Sequence, residues 1–390
     1  MERLAGSSRL LRAMNESASL AYLFDRGPLT RGALRELTGL SKPTTSEVLR
    51  RLTDAGLAIV VGHTSGGPGP NAEIYAANPE AGYAVGVSVR ETRLPSLALA
   101  LCDVNGAVLA RSECAADFAR AEPEDAVTAA IEELCTEAGT FPDRIRHVQL
   151  GVPGSYDPTT GVIRHIDVPG WNRPGLVDRL ADRLRVPVAV DNDVNLAAVA
   201  ERAHGVAADA DGFALVWFSF GLGLAIDLGG QLLRGARGGA GEIGYVPVGL
   251  RGGGPGTDLH DLAGGQAVQA LAAAHGLPTT GAADAVAAAV ARGADEFVTA
   301  LAERVAVGIA AVIAVLDPPL VVLAGDVAQA GGDMLRDAVV AALRATTPLD
   351  TPIAVTGVTD DAVLLGALDC GLRAVRDTLV GALRDAIPTS

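Results

Sequence analysis

Apolar side chains recur at helical spacing through the first 55 residues. Leu11, Met14, Ala18 and Ala21, with Phe24 after them, mark the inner face of one helix, which Gly27 and Pro28 stop. Thr30 is placed to cap a second helix and Gly39 to close it in a left-handed turn. Only Leu40 separates that glycine from Ser41, the N-cap of a third helix. Pro43 fits its first turn, where backbone amides lack intrahelical partners. Val48 and Leu52 give the third helix a buried side, and Gly56 ends it. The period then changes. Residues 57–61 alternate, with Ile59 and Val61 in phase; 63–70 are a Gly/Pro-rich tip; 73–76 read as a returning strand. Two short helices around a tight glycine turn, followed by a hairpin, predict a winged helix-turn-helix over residues 1–79.

From Tyr83 the pattern is α/β. Val85-Gly86-Val87 opens a strand, 97–101 is the next, and Asn105-Gly106 is a hairpin turn. Helical stretches near 124–138 and 175–185 alternate with strands at 146–151 and 187–190. The longest apolar run, 305–316, is shorter than the ~20 residues a bilayer span needs and reads as a buried helix. A chain of 390 residues exceeds one ordinary core, so residues 80–390 form the second part.

The net charge of −15 argues against nucleic acid until its distribution is considered. Residues 1–79 carry nine basic and seven acidic side chains, a net of +2; the remainder carries 22 and 39, a net of −17. A weakly basic head on an acidic body fits DNA contact through the head alone. The third helix should expose Lys42 (the only lysine in the chain), Thr44, Thr45, Ser46 and Arg50, with Ser41 at its start and Arg51 beside Arg50. Hydroxyls and cations of this kind suit base edges and phosphates. A small protein-interaction domain, with Ser and Thr as caps, is the alternative. Four scattered cysteines lack metal-ligand or redox spacing, and charges interrupt the N-terminus where a secretory leader would be apolar. Both point to a reduced, cytoplasmic protein.

Four runs carry the chemistry of the body: GVPG at 151–154, DNDVN at 191–195, GEIGY at 241–245 and VVLAGD at 321–326. Asn192 and Asp193 follow an apolar strand, at the end where open α/β sheets bind ligands. A carboxylate beside a carboxamide offers acceptors and donors to vicinal hydroxyls; a helix-cap aspartate is the plainer reading of Asp193. In this order and spacing the runs resemble the ROK family (repressors, open reading frames and sugar kinases). The resemblance implies an α/β, actin-like, two-lobed body behind a winged helix-turn-helix. In ROK kinases the residue matching Asp193 is the general base, and Asn192 and Glu242 match sugar-binding residues. Gly154, Tyr245 and His260 complete the expected sugar-binding set, the last two standing where the family has a zinc-bound His and a sugar-binding Glu.

The departures concern phosphate and metal. Where ROK kinases have an Asp-x-Gly-Gly-Thr-type loop, residues 88–92 read SVRET; where they have Gly-Thr-Gly, residues 219–221 read SFG. Glu91 would repel phosphate, and the Phe220 ring should occupy its space. The family's cysteine-rich zinc loop is replaced at 251–258 by RGGGPGTD. The expectation is a cytoplasmic repressor that binds double-stranded DNA, senses a sugar or sugar derivative, has no kinase activity, cofactor, metal or membrane contact, and works as a homodimer or a tetramer. The alternatives are an active sugar kinase with a DNA-binding head and a ligand-blind regulator that keeps the body only to dimerise.

Overall fold

The computed structural model describes residues 2–64, 71–91, 95–166, 168–249, 257–348 and 350–385, with side chains from residue 9. The wing tip at 65–70, Thr92 and the glycine-rich loop at 250–256 lie outside them. The chain divides into two compact units. One holds residues 1–150, 177–190 and 367–390; the other holds 151–176 and 191–366.

The first unit begins with helices Glu2–Arg26, Arg31–Thr38 and Lys42–Asp54, followed by strands Ala58–His63 and Glu73–Ala77. Thr30 Oγ1 accepts from Ala33 N, Gly39 closes the second helix at φ 69°, and Ser41 Oγ accepts from Thr44 N, as the caps predicted. A short strand, Leu29–Thr30, adds to the hairpin beside Glu73–Ala77; its two residues were too few to show a period. The first helix is rotated from its expected phase. Its buried side is Ala13, Ser17, Leu20, Leu23 and Phe24, whereas Leu11 and Met14 are 58% and 52% exposed. Ser17 is buried because its Oγ donates to Val380 O at 3.0 Å, so a hydroxyl occupies a position that periodicity assigns to a polar face.

Behind this head lies a five-stranded sheet in the order Val188–Asn192, Ile145–Val152, Tyr83–Arg90, Ser96–Asp103, Val108–Ala115. The last three form an antiparallel meander. Its middle strand, Ser96–Asp103, is buried along its whole length, and helix Pro123–Glu137 packs on it through Val127, Ile131 and Leu134.

The second unit repeats that strand order. Its sheet runs Ile353–Val355, Val321–Ala324, Gly212–Phe218, Leu222–Leu228, Gln231–Leu232. Again the first three strands in sequence form an antiparallel meander, and two later strands add in parallel to the free side. The apolar run at 305–316 belongs to helix Asp295–Leu316, whose 22 residues are long and apolar enough to cross a membrane by length and composition alone. Here Phe297, Leu301, Val305, Ile309 and Ile313 are buried in the core of the unit.

Candidate functional site

The strand Val188–Asn192 runs straight into helix Asp193–His204, and the junction is built from side chains of the second unit. Asn192 is the N-cap: its Oδ1 accepts from Val194 N at 2.9 Å and from Asn195 N at 3.2 Å. Its Nδ2 donates to Gly154 O at 3.1 Å. Both ends of the carboxamide are therefore engaged in holding the site together. Asp193 occupies the first helical position, where the amide-rich helix start favours a carboxylate, and its Oδ1 accepts from Val194 N.

Beneath them Asp191, 7% exposed, accepts from Asn192 N, Asn195 Nδ2 and both Nε and Nη2 of Arg234. Asp191 and Arg234 carried no role in the sequence reading. A bidentate arginine on a buried carboxylate is among the stronger polar contacts, and no local pattern announces it when 43 residues separate the partners.

Gly154 is buried beside the hairpin of Ser155–Asp157 and Val162–Arg164. A Cβ at Gly154 would stand 2.5 Å from Arg164 O and 3.3 Å from His165 O, so only glycine allows the hairpin to close. The next residue, Ser155, donates to Glu242 Oε1 at 2.5 Å. Glu242 leads into a short 3-10 turn, Ile243–Tyr245. Gly244 of that turn lies against His260: a Cβ there would be 2.3 Å from His260 Nδ1. Tyr245, 58% exposed, places its hydroxyl 3.4 Å from His165 Nδ1, with the rings 5.3 Å apart. His165 has a left-handed backbone, φ 56°, uncommon for a residue with a side chain.

Gly154, Asn192, Glu242, Tyr245 and His260 are thus linked by one chain of contacts, with Asp193 at its helical end. His165 joins them and was missed, because nothing in its local sequence distinguishes it. Chemically the cluster offers two carboxylates, a phenol and two imidazoles, a set suited to a polyhydroxylated ligand.

The ROK family model matches residues 94–372, well over half of the chain. The chain belongs to the ROK family. It is similar to the xylose repressor of Bacillus subtilis strain 168, 24% identical over 243 residues, which are 62% of this chain and 62% of the repressor. The chain thus spans under two thirds of that relative's length. It is also similar to a glucokinase of Halalkalibacterium halodurans, 39% identical over 108 residues, 28% of this chain and 33% of the kinase. Among solved structures, a ROK family transcriptional regulator described as a homologue of the Escherichia coli MLC protein superposes with a TM-score of 0.73 at 23% identity. That match covers 96% of this chain and 99% of the regulator. Named relatives of this ROK protein therefore include both repressors and kinases.

At the two positions where ROK kinases hold phosphate, other groups are engaged. In the first unit Ser88 is buried and Arg90 pairs with Glu113 at 2.8 Å. In the second, Gly265 N donates to Phe220 O at 3.0 Å, and the Phe220 ring is 63% exposed. Among the described residues no group of three His, Cys, Asp or Glu could hold a metal ion.

On the third helix Ser41, Lys42 and Arg50 are exposed, and Thr44 and Ser46 are half-buried. Thr45 is not available to DNA. It is fully buried, and its Oγ1 donates to Ser41 O at 3.1 Å, because this side of the helix packs into the head. Arg50 is tied along its own helix to Glu47 and to Asp54 at 2.6 Å. Arg51 pairs with Glu47 and, at 3.5 Å, with Glu16 of the first helix, which makes it a brace between helices.

Proposed function

We propose that this ROK protein is a DNA-binding transcriptional repressor that senses a sugar or sugar derivative and does not phosphorylate it. The observation that carries this reading is the coexistence, in one chain, of the three-helix head with its hairpin and the Asn192–Gly154 and Ser155–Glu242 contacts that arrange carboxylates for hydroxyl binding. Ser41, Lys42, Thr44, Ser46 and Arg50 meet the DNA, and Asp193, Glu242, Tyr245 and His260 meet the sugar. Asn192 and Gly154 shape the site. One helix-turn-helix reads a half-site, so the working form is a cytoplasmic dimer on a pseudo-palindromic operator. Kinase activity is absent because residues 88–92 lack the glycines of the first phosphate loop and Phe220 replaces the hydroxyl residue of the second, and phosphoryl transfer depends on such positioning and charge stabilisation. Residues 1–79 are the DNA-binding part and 80–390 the sensing and dimerising part.

A thermal-shift screen over monosaccharides and phosphosugars tests the sensing. A ligand that binds only the folded state adds about 2.7 kcal/mol at a hundredfold excess over Kd. Operator fragments recovered by in vitro selection test the DNA binding. The second reading, a sugar kinase with a DNA-binding head, is favoured by the 39% identity to the glucokinase segment. Robust ADP release with ATP, Mg²⁺ and any sugar of the same panel would establish it.

A further inference from the structure

The N-terminal helix Glu2–Arg26 and the C-terminal helix Ala362–Asp385 make contacts within the first unit that neither DNA nor a sugar requires. Arg376 is their centre. Its Nε donates to Val104 O at 2.8 Å, and its guanidinium carbon lies 5.3 Å from the centroid of the Phe24 ring. Four residues further on, Val380 O receives the buried Ser17 hydroxyl at 3.0 Å. One side chain therefore joins three elements: the head helix through Phe24, the turn at Val104, and the helix that carries it. Asn105 Nδ2 of the same turn donates to Ala77 O of the head hairpin at 3.3 Å. Burial lowers the Arg376 pKa although Asp25 and Asp103 oppose the shift, so this charge is partly withdrawn from water in order to pack. A cation over an aromatic face gains as water is removed, from about 0.5–1 kcal/mol when exposed to about 2 when desolvated.

Both ends of the C-terminal helix matter. In the second unit its first residue, Ala362, packs with Ala197 and Ala200 of helix Asp193–His204. Gly366 comes so close to that helix that a Cβ would stand 1.8 Å from Leu196 O. The helix touched there is the one that begins at Asp193. In the head, the N-terminal helix reaches the DNA-facing helix through Glu16 and Arg51.

We infer that Arg376 is a positioning residue, which clamps Phe24 to the C-terminal helix and so fixes the head and passes to it displacements of helix Asp193–His204. The clamp stands on the contacts just described; the transmission rests on the sugar-sensing function proposed above. The test uses the full chain with Arg376→Ala, Arg376→Lys and Phe24→Leu. Hydrogen exchange of residues 13–26 should quicken about tenfold or more in Arg376→Ala, with residues 212–232 unchanged. Arg376→Lys should restore part of the protection, since it keeps a cation but loses the planar fork. Xylose, glucose and N-acetylglucosamine are the sugar probes, and the selected operator fragment is the DNA probe. In Arg376→Ala and Phe24→Leu the sugar affinity and the salt slope of DNA binding should stay as in the wild type. The sugar-induced change in DNA affinity should shrink to within about twofold of none. Unchanged exchange in residues 13–26, faster exchange throughout both units, or an intact sugar response would each overturn the inference. If the wild type responds to none of the three sugars, the sensing function fails, and the exchange result alone decides the clamp.

Discussion

Asp191 receives Arg234 through two nitrogens, Nε at 2.9 Å and Nη2 at 2.6 Å, directly below the residues that present the candidate sugar site. Arg234 is half exposed whereas Asp191 is buried, so the two partners are not equivalent. Arg234→Ala should cost about 2 kcal/mol, because it leaves the buried Asp191 carboxylate with two neutral donors and no cation. Asp191→Ala should cost about 3 kcal/mol, because it also strands the buried Asn195 amide. Urea unfolding of both variants checks the ranking. Equal losses would mean that the ion pair itself, and not the carboxylate's other bonds, anchors the junction.

Asp193→Ala and Glu242→Ala should each weaken effector binding about ten- to a hundredfold, since a hydrogen bond to a charged group contributes about 1.5–3 kcal/mol. Glu242→Ala should be the less clean of the two, as it also frees Ser155. DNA affinity without effector should stay as in the wild type. The check is calorimetry with the sugar found by thermal shift, beside DNA titrations with and without it. Variants that respond as the wild type does would move the sensing site elsewhere.

Glu47 binds both Arg50 and Arg51, and their hydrogen bonds, Arg50's first, hold its carboxyl at about 2. It is therefore charged at every working pH, and in the proposed DNA complex it would compete with phosphate for Arg50. Glu47→Gln should raise affinity for random-sequence DNA several-fold and steepen the salt dependence by about one unit of slope. Arg50→Ala should do the reverse, flattening it by about one. Salt titrations by fluorescence anisotropy measure both. A loss of binding in Glu47→Gln would instead make Glu47 a base-reading residue, the role a carboxylate fills at cytosine.

His147 lies in the strand Ile145–Val152, where burial lowers its pKa, a hydrogen bond with Gln149 acting in the opposite direction. Its Nε2 is buried without a hydrogen-bond partner. The unfolded chain takes up the proton more readily than the folded one. The stability that depends on a neutral His147 is therefore complete above about pH 6.5 and declines as the pH falls below that value. Thermal midpoints at several pH values should show this loss in the wild type and a smaller one in His147→Leu. Parallel losses would assign the acid sensitivity to other groups.

The sequence disclosed elements whose signals are local. Caps at Thr30 and Ser41, the turn at Gly39 and the strand-to-helix junction at Asn192 depend on residues within a few positions of one another, and they were readable. Contacts across the chain were not. The phase of the first helix failed because Ser17 is buried by Val380, 363 residues away. Thr45 looked like a DNA contact because its chemistry resembles that of Thr44; only the packing of the third helix separates them. His165 and Arg234 entered the site through partners 80 and 43 residues distant. Asp193 and Glu242 stood out because the family motifs name them, while Arg234, which holds Asp191, and Ser155, which holds Glu242, lie outside the four runs.

The burial of Ser17 against Val380 also bears on cooperativity. A chain segment that is separate in sequence need not melt separately. The head shares its inner surface with the last helix, so it should lose structure together with the first sheet. Calorimetry of the whole chain should then resolve two transitions, one per compact unit. Residues 1–79 produced alone should expose Ser17 and the Phe24 ring, the two side chains of the first helix that meet the last one, and lose stability. Truncation at residue 366 should destabilise the head although it removes none of it.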